Sequence, residues 1–264
     1  MFVRIKYCLC HPRYIGKYNK DKGGIVFLTI FIFFLFCTLM QGARCYTENP
    51  ISETVAYTIT STIVQYGETN VEYDAGEAKL KGDFFEVNHE GFHLLFLPNE
   101  NTRVSYKLDT VTIVFEEETA SLYYSSFKAA TLAYKDLNIA NFSFANVARN
   151  QAADTYYFRI FIDSTFDSAK LFFQTFSFLQ GIFSALVYYV ICFVFSYVLS
   201  IAINPAINRG VRAKLCLYDG CIVFIGIFFA YLFNSDFIIY ISLALPLVYT
   251  LVTFRHIIKV IIRR

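Results

Sequence analysis

Residues 171–203 read LFFQTFSFLQGIFSALVYYVICFVFSYVLSIAI, thirty-three consecutive positions without an Asp, Glu, Lys or Arg. A bilayer core of about 30 Å is crossed by roughly 20 helical residues, so this run spans a membrane with residues to spare. The surplus lies at its start, where Phe172, Phe173, Phe176, Phe178 and Phe183 form an aromatic stalk ahead of a crossing from about Ser184 to Ile203. Asp163-Ser164-Thr165 is the expected N-cap with Asp167 in the first turn. Asn204-Pro205 stops the helix at the other end.

Three more apolar runs flank it, uncharged except for Asp219 in the second: Gly24–Met40, Leu215–Phe233 and Phe237–Phe254. The last two are joined by Asn234-Ser235-Asp236 alone, which forces a tight antiparallel pair, and Pro246 introduces a kink in the fourth. A basic start followed by an apolar run also describes a signal peptide. Residues 25–40 are long for a signal core, however, and Gln41-Gly42-Ala43-Arg44 is a poor cleavage site, so the first run reads as a retained span.

Orientation follows from charge. Arg4, Lys6, Arg13, Lys17, Lys20 and Lys22 precede the first span. Arg209, Arg212 and Lys214 separate the second from the third, and Arg255, Lys259, Arg263 and Arg264 follow the fourth. By the positive-inside rule these three segments are cytoplasmic. Residues 41–170 are then outside, and they carry eighteen acids against ten bases. The expectation is an integral membrane protein of four transmembrane α-helices with a single extracytoplasmic α+β domain inserted between helices 1 and 2. Its parts are a basic arm (1–23), helix 1 (24–40), the outer domain (41–170), a helical stalk with helix 2 (171–203), a cytoplasmic loop (204–214), helix 3 (215–233), helix 4 (237–254) and a basic tail (255–264). Both termini face the cytoplasm of a plasma membrane. With basic and acidic segments sorted by the membrane, the net charge of +2 does not point to nucleic acid.

Of seven cysteines, Cys45 alone falls in the outer segment, so no disulfide staples that domain. This suits a bacterial surface better than a eukaryotic secretory route. Cys8-Leu9-Cys10-His11 invites a metal reading but lacks a fourth ligand. Asp219 lies five residues after Lys214 and reads as a helix-start acid near the interface. No ionisable side chain is expected in the middle of a span, and with no visible polar path the chain is not expected to transport by itself.

Residues 79–84, 110–115 and 156–162 alternate apolar and polar residues with period two and read as strands, while 127–137 and 142–153, richer in Ala, read as short helices. His89-Glu90-Gly91-Phe92-His93 fits the His-Glu-x-x-His pattern of zinc peptidases. On a helix, His89 and His93 would share a metal, Glu90 would activate its water, and Glu116, Glu117 or Glu118, with Glu117 central, would complete the set. The context favours a hairpin instead, with strand 85–88, a turn over Asn88–Gly91 and a returning strand 92–96. The chain is therefore read as non-enzymatic and without a cofactor. The alternatives are a membrane-anchored zinc metallopeptidase and a subunit of a membrane transporter. Phosphate-loop, nucleophile-elbow and dinucleotide fingerprints are absent. Asn141-Phe142-Ser143 matches a glycosylation acceptor, which matters in a eukaryotic secretory pathway alone.

Some segments carry a loose family likeness: Pro12-Arg13-Tyr14 leading to Gly23-Gly24, Gly82-Asp83-Phe84-Phe85-Glu86-Val87 to Gly91, Leu108-Asp109-Thr110-Val111 and Arg212-Ala213-Lys214-Leu215. With the order of spans, they resemble a bacterial polytopic membrane-protein family of unknown function, MalA-like and associated with maltodextrin utilisation. The resemblance implies an accessory role beside carbohydrate uptake and transfers no active residues. The expected partners are the lipid bilayer and a second membrane or surface protein.

Overall fold

A computed structural model describes residues 2–47, 53–66, 70–89, 91–97, 106 and 110–262. Glu90 and the 108–109 part of the family-like segments lie outside the described residues. In chain order the helices are α1 (Phe2–Cys10), α2 (Gly23–Thr47), α3 (Glu53–Tyr66), α4 (Phe144–Ala148), α5 (Ala152–Ser168), α6 (Lys170–Ile203), α7 (Arg209–Gly220), α8 (Ile222–Phe233) and α9 (Asp236–Ile262), with a 3-10 helix at Pro12–Lys20. Four helical stretches are long and apolar enough to cross a membrane: Gly23–Thr47, Lys170–Ile203, Arg209–Phe233 and Asp236–Ile257. Between the first two in sequence lies a separate strand-rich region. By internal contact the chain forms two units, Met1–Thr47 with Ser177–Arg264, and Glu48–Phe176.

In the helical unit, α7 and α8 form one stretch broken at Cys221. Its apolar window is 72 % buried, against 22 %, 22 % and 28 % for the other three, so it is the helix the others surround. Asn208 starts it as a true N-cap, its side-chain oxygen accepting from the Gly210 amide at 2.9 Å. Asn234 ends it in the left-handed region (φ 47°), and the Ser235 amide donates to the Ala230 carbonyl at 3.0 Å. This six-to-one bond is the Schellman closure, and it turns the chain into α9 within two residues, as the short link predicts. At the crossing with α9, a Cβ on Gly226 would lie 2.3 Å from the Ser242 Cβ. Phe33, Leu215, Tyr218, Phe224 and Phe254 fill the interior, while Phe27, Leu39, Val190, Phe195 and Tyr240 face outward. An apolar exterior of this extent suits lipid rather than water.

Helix boundaries differ from the sequence reading in several places, among them α9, which runs on through the expected tail to Ile262. Helix α2 continues past Met40 to Thr47, because Gln41 and Cys45 gain partners on α6. Gln41 Nε2 donates to the Ser177 carbonyl at 3.0 Å, and Cys45, expected outside, is buried beside the Ser177 hydroxyl. Residues 204–214 are not all loop, since α7 begins at Arg209. The N-cap expected at 163–165 is the interior of α5, where the Thr165 hydroxyl donates to the Phe161 carbonyl at 2.8 Å. The break falls at Ala169. Finally, residues 2–20 are an ordered element, with Cys8 and Ile15 fully buried.

The strand-rich unit holds β1 (Glu72–Asp74), β2 (Lys79–Lys81), β3 (Phe85–His89), β4 (Phe92–Phe96), β5 (Val111–Phe115), β6 (Thr119–Tyr124), β7 (Phe127–Ala133) and β8 (Phe142–Ser143). Three strands pair in the order β2-β1-β8 and five in the order β3-β4-β5-β6-β7; β4 and β5 are parallel and the other neighbours antiparallel. Aromatic side chains dominate the core between sheet and helices. The rings of Phe96 and Phe115 stack at 4.5 Å, and Phe161 meets Phe115, Tyr134 and Phe142 within 5.6 Å. Gly82, at φ 134°, lets the backbone pass the Asn70 carbonyl, where a Cβ would lie 2.3 Å from its oxygen.

Two periodicity readings are overturned here. Residues 156–162 are helical, within α5, whose buried positions Phe158, Phe161, Ile162, Thr165 and Phe166 follow the 3, 1, 3, 1 spacing of a helix face. A stretch so dense in aromatic residues satisfies both periods over seven residues, and the wider window decides. Residues 127–133 are a strand rather than a helix, because antiparallel pairing with β6 through the turn at Ser125 outweighs the weak helix preference of three alanines. Of 142–153, Phe144–Ala148 is helical as expected and Phe142–Ser143 is a strand.

Candidate functional site

The two histidines of the His-Glu-x-x-His string lie on the hairpin β3–β4. His89 is directly opposite Phe92 and stacks on it at 4.8 Å, whereas His93 is opposite Asn88. Because side chains alternate across a strand, the two imidazoles project from opposite faces of the sheet. The one-turn helical register that a zinc pair needs is absent. His93 is buried and its Nε2 lies 2.8 Å from Glu86 Oε1, a diagonal cross-strand partner. Glu117 is exposed at the turn after β5, and β4 and β5 pair His93 with Thr112. β5 runs three residues past that level to Phe115, about 10 Å, and Glu117 lies two residues further on in the turn. Glu116 and Glu118 sit in the same turn. Among the described residues no group of three or more His, Cys, Asp or Glu is placed to hold a metal ion.

That turn instead forms one wall of an open groove of about 1000 Å³ in the strand-rich unit. The other wall is β2, and the backbone amide of Leu80 donates to the Glu117 carbonyl at 2.8 Å. Glu77, Glu116, Glu117 and Glu118 line it against Lys79 and Lys81. Both lysines are already ion-paired, Lys79 to Glu118 at 2.8 Å and Lys81 to Asp74 at 2.8 Å and Glu77 at 3.0 Å. The pairing holds the Asp74 carboxyl below the ordinary carboxylate range and raises Lys79 and Lys81. The lining is acidic on balance, so the groove favours a neutral or cationic contact over an anionic one.

The densest polar constellation lies in the helical unit, where the N-terminal arm meets α7 and α9. Asp21 is its hub. Arg4 grips it in a two-pronged ion pair, Nε to Oδ2 at 2.8 Å and Nη2 to Oδ1 at 3.0 Å; the Tyr218 hydroxyl donates to Oδ2 at 2.6 Å, and Lys214 Nζ donates to the Asp21 carbonyl at 2.8 Å. The Arg4 guanidinium holds the Asp21 carboxyl below its usual range, against the opposing effect of burial. Arg4 also lies over the Tyr18 ring at 5.0 Å.

A second knot lies deeper. Thr253 Oγ1 is 3.0 Å from the Pro12 carbonyl and 2.9 Å from Asp219 Oδ1, and the Tyr249 hydroxyl donates to the Leu9 carbonyl. Asp219 has no exposed surface and is the eleventh residue of α7, so it is a fully buried acid well inside its helix rather than one at the helix start. The helix-start reading counted from Lys214, whereas α7 begins at Arg209 and the arm closes over the carboxyl. Burial pushes the Cys8 thiol up to about 12, with the nearby Asp219 adding to the shift. The sequence reading missed Asp21, Tyr249, Thr250 and Thr253. Asp21 was legible as the single acid among six bases, and the Tyr249, Thr250 and Thr253 cluster as a polar patch near the end of the last apolar run.

No family model, no curated protein and no solved structure matches this chain. The reading of function therefore rests on geometry.

Proposed function

We propose that this is a multi-pass membrane protein with both termini in the cytoplasm that presents residues 48–176 outside the membrane as an interaction or sensing module, acting by contact rather than by chemistry of its own. The observation that carries this reading is the coincidence of two partitions. The unit with its own aromatic core is also the acidic part of the chain, and thirteen Lys and Arg fall in the three segments on the other side of the spans. The acidic groove of Glu77 and Glu116–Glu118 is the contact surface proposed for a basic or neutral partner, such as a second membrane protein. The likeness to maltodextrin-associated proteins adds an accessory role in carbohydrate uptake. Opposed imidazoles in the β3–β4 hairpin favour this over a peptidase.

Labelling of single cysteines with an impermeant thiol reagent in intact cells tests the orientation. Probes at Ser126 and Asn141 should react, and probes at Lys17 and Arg209 should react only after lysis. Capture of partners with the full chain in mild detergent then tests the contact surface. Charge reversal at Glu116, Glu117 and Glu118 should release a partner that the unaltered chain retains, and retention by both would remove the groove from the proposal. A transporter-subunit role is the second reading, favoured by the carboxyl of Asp219 inside a span.

A further inference from the structure

Asp219 is enclosed without a counter-charge among the described residues. The nearest bases on its helix are committed elsewhere: Arg212 Nη2 donates to the carbonyls of Asn204 and Pro205 at 2.8 and 3.2 Å, and Lys214 to that of Asp21. Around the carboxyl, α1 contributes Cys8, the 3-10 helix the Pro12 carbonyl, α9 Tyr249, Thr250 and Thr253, and the α7–α8 stretch Cys216 and Cys221. None of these brings a positive charge. An uncompensated buried carboxylate is among the most costly groups a fold can hold.

The hydrogen count points the same way. A threonine hydroxyl has one hydrogen to give, yet Thr253 Oγ1 faces two oxygens at bonding distance, Asp219 Oδ1 and the Pro12 carbonyl. If Asp219 is ionised, both are acceptors and one goes unfilled. If Asp219 carries a proton, it donates to Thr253, which donates to Pro12, and the chain is complete. Asp219 Oδ2 and Thr250 Oγ1 are buried without a hydrogen-bond partner, so a charge on the carboxyl would stand unscreened by solvent.

We infer that Asp219 is a proton-binding site whose occupancy locks the N-terminal arm, residues 2–20, onto the helical unit through Thr253 and the Pro12 carbonyl. When the Asp219 O–H bond breaks and the proton leaves to water, the electron pair stays on the carboxylate. Thr253 then turns its hydrogen to the negative oxygen, the Pro12 carbonyl loses its donor, and the arm loosens. The ligand class is the proton, and the readout is the docking of the arm.

Hydrogen exchange of amides 3–20 in the full chain, in nanodiscs and normalised to the intrinsic rate at each pH, tests this. Protection of the arm should fall about tenfold or more between pH 5 and pH 10, the loss of one buried hydrogen bond with its acceptor unfilled. Asp219→Asn, a neutral side chain of the same shape, should flatten that dependence. Thr253→Val should lower protection at every pH. Protection that does not change with pH in the unaltered protein overturns the inference whether or not the variants fold. So does a fall that persists in Asp219→Asn. Recovery of protection at pH 10 on adding sodium, rather than on returning to acid, would replace the proton by a metal cation and overturn it as stated.

Discussion

Tyr218 donates a 2.6 Å hydrogen bond to Asp21 Oδ2 and so ties two residues 197 positions apart. The same carboxylate takes both prongs of Arg4, which makes Asp21 the point where arm and span are joined. Six bases around one acid would otherwise repel; Asp21 gives Arg4 a mate and leaves the remaining charges at the surface.

From this follows the first prediction. Asp21→Asn removes the charge that orients Arg4 and should cost about 2 kcal/mol of arm docking, the usual worth of hydrogen bonds to a charged group, read as higher hydrogen exchange over residues 2–20. The pH dependence of this contact has the sign of a depressed acid. Its stabilisation is full above the ordinary carboxylate value near 3.8 and is lost as pH falls through the lower value in the folded state. Arm exchange should therefore rise in acid below about pH 4 as well as on the alkaline side argued for Asp219. Unchanged exchange in Asp21→Asn at neutral pH would remove Asp21 from the docking contact.

The second prediction concerns thiols two residues apart. Cys10 is exposed and Cys8 fully enclosed, with its thiol pushed up to about 12. Since the thiolate is the reactive form, burial leaves Cys8 very little of it at pH 8. A maleimide should modify Cys10 within minutes and leave Cys8 intact, as read by peptide mass. Equal modification of both would mean that the arm is not packed as described.

Packing between α8 and α9 supplies the third. A Cβ on Gly226 would overlap the side chain of Ser242 and lie 3.1 Å from its Cα, and backbone cannot retreat as a side-chain tip can. Gly226→Val should lower the melting temperature in detergent through overpacking of about 1–3 kcal/mol. Adding Ser242→Gly should recover part of that loss, because the two changes share one space. Full additivity of the two substitutions would disprove the contact.

How far the sequence can be read depends on which signal needs a partner. The four long apolar helices were legible because a charge-free run such as 171–203 states its own preference, and Asn234-Ser235-Asp236 leaves no room for anything but a turn. The hairpin at 85–96 was legible from alternation together with turn residues. Residues 156–162 were not, since Tyr, Phe and Ile at nearly every position serve a strand or a helix equally, and the face they bury is set by strands distant in sequence. Asp219 was misplaced for a related reason. Its burial depends on where α7 starts and on an arm more than 190 residues earlier folding over it, and no local window contains either fact.

The last prediction separates the two lives of His93. In the hairpin it is a buried cross-strand partner of Glu86, while His89 is an exposed residue stacked on Phe92. The two should then respond differently to truncation. His93→Ala empties a buried position on β4, an interior strand of its sheet, and should destabilise by about 1–3 kcal/mol. His89→Ala trims an exposed edge and should stay within about 0.5 kcal/mol of the parent. A zinc centre predicts symmetry instead, because each imidazole would be a ligand and loss of either would strip the metal. Thermal melts of both variants, with the metal content of the purified full chain measured after dialysis, decide between them. Unequal destabilisation without stoichiometric zinc is the expected result. Tightly held zinc that disappears in both variants would sink the hairpin assignment and restore the peptidase reading.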